Sequence, residues 1–237
     1  MQRILSHNEL GDVLVKFKPN ARRFIARWRT GHVDLTAPAM ATEADAIAAL
    51  DRLAPRLLAC RRCGVVRFHD GQEIRLDGLV ITILRQDFQR DSIFVSQREP
   101  GYATVSAGAS FDFGDDSTTQ LISKALKTIA RKNASRILLP RARELAALYG
   151  CRPSGWQISS GSRILGQCNG AGIIKLSYMN IFLTSELRDY IICHELAHLS
   201  ELNHSPRFHQ VCDSYLGGRE KELIAKLKSF EWPLLRK

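Results

Sequence analysis

The spacing of the apolar residues changes once along this chain, near residue 116. Before that point, short runs alternate between apolar and polar residues, which is typical of half-buried β-strands. Pairs such as Asp70-Gly71 and Asp77-Gly78 lie between these runs and predict hairpin turns. One helix is expected within this region, because Thr42 precedes acidic residues and an Ala- and Leu-rich stretch. The predicted strands are 13–18, 24–28, 33–36, 65–68, 73–76, 79–84, 93–95 and 102–105.

Beyond residue 116 the apolar residues recur at helical spacing. Ser117 or Thr118 can cap a helix that runs to about Leu138. Pro140 is expected to break or kink this helix before a second one ends at Gly150. The remaining predicted elements are three short strands, 156–159, 162–165 and 173–178, and helices over 185–202, from 205 and from about 219.

These patterns predict an α+β fold with a β-rich N-terminal half and a helical C-terminal half. The change near residue 116 is the only domain boundary that the sequence indicates. It separates a mainly β region, 1–116, with one helix, from a second region, 117–237. The two regions could equally form one continuous domain, and the sequence shows no internal repeat.

The composition is that of an ordinary globular protein, with 45% hydrophobic and 24% charged residues. No apolar run approaches the ~18 residues of a membrane span, and residues 1–10 lack the apolar core of a signal peptide. We therefore expect a cytoplasmic protein with no membrane partner and with reduced cysteines. Cys60-Arg-Arg-Cys63 has the spacing of a metal knuckle, but a zinc ribbon needs a second such pair, which the sequence lacks.

The net charge of +10 is concentrated in the second region, which contains 18 basic and 9 acidic residues. It is densest over residues 124–143, which carry seven basic side chains and no acidic one. Such a stripe can attract nucleic acid. Because no nucleic-acid-binding motif accompanies it, a solvated helix face is the favoured interpretation and a nucleic-acid partner is not.

The stretch His194-Glu-Leu-Ala-His198 has residue types and a spacing typical of a catalytic metal site. Its apolar neighbours place it on a helix, where residues four apart share a face and lie about 6 Å apart along the axis. Two imidazoles at this spacing can bind one zinc ion. Glu195 is rotated about 100° around the helix, so it lies beside the metal, where it can take a proton from an attacking water.

A catalytic zinc site usually has three protein ligands. The candidate for the third is His204, which lies six residues beyond His198. Six residues of straight helix would turn His204 away from the metal, so the helix must end between the two. Asn203 tolerates the left-handed conformation that terminates helices. Ser205-Pro206 then has the form of an N-cap and first position of a new helix. The sequence therefore predicts His204 at a corner, from which it can reach the zinc.

The block Tyr190-Ile-Ile-Cys-His-Glu-Leu-Ala-His-Leu199, followed by Asn203-His-Ser-Pro-Arg-Phe208, resembles the YgjP-like metallopeptidase domain, a family similar to SprT-like and other zincin metalloproteases. That family also has an Arg-Trp-Gly-Ser-Cys segment before a strand, to which Arg163-Ile-Leu-Gly-Gln-Cys168 is similar. The resemblance spans about residues 12–230. It implies a zincin-like fold and zinc-dependent peptide-bond hydrolysis, with one zinc ion on His194, His198 and His204 and with Glu195 as catalytic base.

Three positions depart from the family pattern: Leu165 and His209 stand where Trp is usual, and Gln167 where Ser is usual. None of them removes a ligand, so they bear on the shape of the cleft and on substrate preference. The expected partner is a peptide or protein substrate, which would pair with the edge of the strand at 173–178. The sequence offers Tyr178, Tyr190, Arg163 and His209 as oxyanion donors and does not choose between them.

Three alternatives remain open at the level of sequence. The chain could be a DNA-associated zinc protein of the SprT type, which the basic second region motivates. It could be a peptide-binding module without proteolytic activity. The same site could also hydrolyse a non-peptide amide. The sequence does not indicate an oligomeric state.

Overall fold

The computed structural model describes residues 2–28, 32–62, 66–88 and 91–235. Within these ranges the chain is a mixed α+β protein with three small sheets and five α-helices. It divides into two compact units, Met1–Val65 and Val66–Lys237. No helix of the described part combines the length and apolar composition that a membrane crossing requires. Cys63 and the side chain of Cys60 lie outside the described residues.

The first unit is a four-stranded sheet with one helix. Its sheet has the order β1-β2-β4-β3, in which β2 and β4 are parallel and the other pairs are antiparallel. Alternate residues of β2 and β4, such as Val13 and Leu35, are fully buried in one core with Leu50 of α1. The elements are β1 (Gln2–His7), β2 (Gly11–Lys18), β3 (Ile25–Trp28), β4 (Val33–Pro38) and α1 (Glu43–Arg62). Strand β1 was not predicted, because most of its side chains are polar or exposed and give no alternating pattern.

The second unit begins with the same topology. Its first sheet has the order β5-β6-β8-β7, again with the two middle strands parallel, and a helix follows. The elements are β5 (Gln72–Leu76), β6 (Leu79–Gln86), β7 (Ile93–Glu99), β8 (Tyr102–Gly108) and α2 (Asp116–Leu148). A unit of four strands and a helix thus occurs twice along the chain, although the sequence shows no repeat.

Helix α2 continues through Pro140, where the sequence predicted a break or kink between two helices. A proline inside a helix removes one backbone hydrogen bond. The buried face of α2 continues on both sides of it, with Leu138, Ala142 and Leu145 in the core. Packing of this face therefore holds the helix together across the proline.

Strand β8 and helix α2 belong to one core. Val105 of β8 is fully buried in the same cluster as Ile122 and Leu126 of α2. The predicted division near residue 116 therefore marks the change from strand to helix, whereas the compact units divide between residues 65 and 66.

The rest of the second unit carries a three-stranded sheet and three helices: β9 (Gly155–Ser159), β10 (Gly166–Cys168), β11 (Ile173–Ser177), α3 (Ser185–Ala197), α4 (Pro206–Tyr215) and α5 (Glu220–Ser229). Two differences from the predicted strands matter for the site. Residues 162–165 are not a strand, and the short strand follows at β10. The sheet order is β10-β11-β9, so β11 is the central strand and not the edge that the sequence predicted.

Helix α3 is fixed in the core of the second unit by apolar and ionic contacts. Ile192 and Leu196 are fully buried, and the buried guanidinium of Arg188 pairs with Asp77 in the turn between β5 and β6. Asp189 accepts two hydrogen bonds from Arg141 of α2, at 3.0 Å from Nε and 2.6 Å from Nη2. These contacts set both the position and the rotation of α3.

Candidate metal centre

The end of α3 positions the first two histidines. The helix starts at Thr184, whose hydroxyl accepts a hydrogen bond from the amide of Leu187, and its last residue is Ala197. His194 therefore lies in the last turn and His198 is the C-cap residue. The predicted helix ran to Leu202 and was to end at a left-handed Asn203, but no described non-glycine residue has a positive φ. The chain leaves the helix earlier, through tight turns in which the amides of Leu199 and Ser200 bond carbonyls three residues back.

The third histidine returns to the first two at a corner before α4. Ser205 caps that helix by accepting a hydrogen bond of 3.2 Å from the amide of Phe208, and Pro206 is its first residue, as the sequence predicted. The Nε2 atoms of His204 and His194 lie 3.0 Å apart. The ring centre of His204 is 4.7 Å from that of His198.

One ligand atom from each of the three histidines lies within 4.8 Å of the other two, so the group could hold a metal ion. The Nδ1 atom of His198 is 3.0 Å from the carbonyl oxygen of Glu201, which fixes the ring and leaves Nε2 for a metal. Phe208 is fully buried and contacts all three imidazoles, with ring centres 4.5–4.9 Å apart. Three nitrogen donors on a rigid aromatic base fit the needs of a tetrahedral site with one open position.

Burial keeps the imidazoles of His194 and His204 in the form that binds metals. It lowers the pKa of His194 to about 4, with further lowering from the neighbouring histidines. Burial and the same neighbours also lower the pKa of His204. Both rings are therefore unprotonated at neutral pH, which leaves a nitrogen lone pair available as a ligand.

Glu195 lies in a pocket that exists because residue 166 is glycine. Its side chain is buried, with 5% exposure, and Oε2 has no hydrogen-bond partner among the described residues. A Cβ atom at Gly166 would lie 2.4 Å from Oε1 of Glu195, so only a glycine leaves room for this carboxylate. Burial raises the pKa of Glu195 to about 7, and a hydrogen bond from the backbone of Cys168 partly opposes this.

A second buried carboxylate lies behind the histidines. Glu220, the first residue of α5, is 5% exposed, and its two oxygens are 2.9 and 3.1 Å from Nδ1 of His209. Glu220 also lies within 4.8 Å of ligand atoms of His194 and the buried Cys212. The sequence analysis missed Glu220, because it lies in an ordinary charged helix, and did not single out Gly166, although it lies in the segment that carries the resemblance.

The four oxyanion donors offered by the sequence occupy different places. Tyr178 is fully buried and its hydroxyl accepts a hydrogen bond of 3.1 Å from Arg131. Tyr190 is buried with its ring 6.0 Å from that of His194, and burial raises its pKa to about 12. Arg163 lines a cavity next to Gly166. His209 is half exposed and 6.4 Å from the ring of His204.

Four of the seven basic residues in the basic segment of α2 make contacts within the fold. Lys127 is buried, Arg131 stacks on the ring of Tyr178 at 4.3 Å, and Arg136 donates to the carbonyl of Gly78. Arg141 pairs with Asp189. The segment therefore combines contacts inside the fold with exposed cations, which are Lys124, Arg131, Lys132, Arg136 and Arg143.

The α+β fold and the three-histidine centre define a candidate metalloenzyme. A model of the family described as YgjP-like, metallopeptidase domain, matches residues 22–230, and the chain belongs to this family. The family name implies a hydrolase with a metal cofactor. No curated protein and no solved structure matches the chain.

Gly166→Ala should destabilise the second unit by about 1–3 kcal/mol, because the added methyl group has to displace the buried Glu195 or the strand itself. Gly170→Ala is the matched control, since a Cβ atom there meets nothing within 4 Å. Urea unfolding of both full-length variants measures the difference. Equal midpoints for the two variants would contradict the close contact between Gly166 and Glu195.

Proposed function

We propose that the protein is a zinc-dependent peptidase with a zincin-like active site on α3. The observation that carries the proposal is the convergence of three imidazoles beside one buried carboxylate. His194, His198 and His204 would hold the zinc. When bound, zinc supplies a Lewis acid for the scissile carbonyl and for the attacking water.

Glu195 is the general base of the proposed reaction. It follows His194 directly on α3, so its carboxylate lies beside the ligand set and not within it. The contact with Gly166 and the amide of Cys168 hold this carboxylate in one place. Glu195 would accept the proton of the attacking water and pass it to the leaving amine.

Strand β10 is the proposed binding edge for an extended substrate. It is the outer strand of its described sheet, and Gly166 in it lies against Glu195. A peptide that paired with β10 would gain backbone hydrogen bonds and place its own backbone next to the general base. The proposal transfers the edge-strand role from β11, where the sequence placed it, to β10.

His209 is the proposed donor to the oxyanion. Glu220 holds its Nδ1, so Nε2 lies on the opposite side of the ring, and the side chain is half exposed. A hydrogen bond from this ring would stabilise the negative charge that develops on the carbonyl oxygen. Tyr178 is less suited, because its hydroxyl is buried against Arg131.

The alternatives from the sequence remain weaker proposals. A DNA-associated role could use the exposed basic residues of α2, but no nucleic-acid-binding motif accompanies them. A peptide-binding module could use the same edge of β10 without needing Glu195. Hydrolysis of a non-peptide amide would use the same groups as peptide hydrolysis.

Metal-free full-length protein should bind a single zinc ion per chain in a titration, and His204→Ala should weaken that affinity at least about 100-fold. The reason is that His204 supplies one of the three converging nitrogens. His69→Ala, which changes an exposed histidine bonded to the carbonyl of Asp70, serves as the control. Unchanged zinc affinity in His204→Ala would overturn the three-histidine site.

Glu195→Gln should keep its zinc and lose about 10²–10⁴-fold in the rate of casein-derived peptide hydrolysis, because the amide cannot accept the water proton. Glu73→Gln removes a carboxylate from β5 and should hydrolyse the peptides at the wild-type rate. Release of new amino termini measures both. A Glu195→Gln protein that cleaves like the wild type would rule out the general-base role, and binding without any cleavage by the wild type would favour the peptide-binding module.

His209→Ala should lower kcat by about 10²-fold with little change in KM, because an oxyanion donor acts mainly in the transition state. Zinc content and thermal stability are measured first, since the variant leaves the buried Glu220 without its histidine partner. His209→Asn, which retains a side-chain donor, should recover part of the rate. An unchanged kcat in a fully zinc-loaded His209→Ala protein would exclude His209 as the donor.

A further inference from the structure

A cavity of about 520 Å³ lies next to the candidate active site, with Gly166 in its lining. We call it the basic cavity. It is formed by the loop between β9 and β10 together with residues of β10 and β11. Its lining residues are Ser159, Ser160, Gly161, Ser162, Arg163, Ile164, Gly166, Gln167 and Lys175.

Gly166 lines the basic cavity and also contacts Glu195. Its backbone lines the cavity, while the position of its absent Cβ atom lies 2.4 Å from Oε1 of Glu195. Gln167 is the cross-strand partner of Lys175, so these two side chains emerge on the same face of the sheet. The side chains of a peptide paired with β10 would alternate between two faces, and one set would lie over the basic cavity.

The charge of the lining indicates what the cavity can bind. It contains the guanidinium of Arg163, the ammonium of Lys175, three serine hydroxyls and the amide of Gln167, and none of its described lining residues is Asp or Glu. Ile164 is the only large apolar side chain among these residues, and it is largely exposed. Two cations with neutral donors and no acid are complementary to an oxyanion and offer little to an apolar side chain.

We propose that the basic cavity binds a carboxylate of the peptide substrate, so that the enzyme selects bonds close to an acidic group. The inference rests on the proposed peptidase function and names the substrate class of the same site. The carboxylate can come from an Asp or Glu side chain or from the carboxyl terminus of the peptide. Arg163 and Lys175 are the specificity-determining residues.

Binding to zinc-loaded, full-length Glu195→Gln tests the inference without relying on catalysis. The probes are fluorescein-labelled peptide mixtures of neutral residues with a fixed central Glu or Gln, each made with a free and with an amidated carboxyl terminus. Fluorescence anisotropy should show tighter binding of the peptides that carry a carboxylate. About fivefold tighter binding is expected for each ion pair formed at an exposed site.

Variants of the cavity, made in the Glu195→Gln background, assign the effect to residues. Arg163→Gln and Lys175→Gln should each lower affinity for the carboxylate-bearing peptides and leave the amidated Gln peptides unaffected. Lys175→Arg keeps the positive charge and should keep the preference for carboxylate-bearing peptides. This variant gives a test that does not depend on Arg163→Gln, which could disturb the loop. Lys124→Gln is the matched control, because Lys124 is an exposed cation that does not line the cavity.

The four peptide mixtures distinguish the two sources of carboxylate. A preference for Glu over Gln that persists in amidated peptides assigns the cavity to an acidic side chain, and a preference for free over amidated ends assigns it to the terminus. Equal affinity for all four mixtures overturns the inference. Tighter binding of a single-stranded DNA oligonucleotide that both Gln variants abolish would also overturn it.

Failure of this inference is distinguishable from failure of the proposed function. If wild-type protein binds zinc and cleaves peptides in a Glu195-dependent way, but the cavity variants show no carboxylate preference, only the inference is wrong. If zinc binding or Glu195-dependent cleavage is absent, the proposed peptidase function is wrong.

Discussion

The candidate metal centre depends on the reversal of the chain between α3 and α4. His194 and His198 are one helical turn apart and share a face wherever the helix lies, but His204 can join them only if the helix has already ended. The helix stops at Ala197, and the N-cap at Ser205 starts the next helix in a direction that brings Phe208 beneath the three rings. A buried aromatic ring in contact with all three imidazoles then limits how far each can move.

The chain reversal brings the three histidines together only because α3 is held firmly in an apolar core. Two ion pairs, Arg188 with Asp77 and Arg141 with Asp189, tie the helix to the sheet and to α2. Burial of polar atoms near the metal centre destabilises the fold, since an unsatisfied buried polar group costs about 1–3 kcal/mol. Oε2 of Glu195, which has no hydrogen-bond partner among the described residues, is such a group, and it is typical of a site arranged for chemistry rather than for stability.

Gly166 and the position of β10 at the edge of its sheet shape the proposed substrate side of the site. Gly166 gives the carboxylate of Glu195 its space, and the same strand is the outer member of the sheet β10-β11-β9. Residues 162–165, which the alternation pattern assigned to a strand, lie instead in the loop that forms the wall of the basic cavity. The proposed general base, the proposed binding edge and the basic cavity therefore meet at Gly166.

The features that depend only on neighbouring residues could be predicted from the sequence. The i, i+4 spacing of His194 and His198, the cap at Ser205-Pro206 and most of the strands follow from local periodicity and local hydrogen bonding. Four features could not be predicted in this way: the order of the strands, the continuation of α2 through Pro140, the pairing of Glu220 with His209 and the space at Gly166. The physical reason is that these depend on contacts between residues far apart in the chain, where packing of a shared core outweighs local preference.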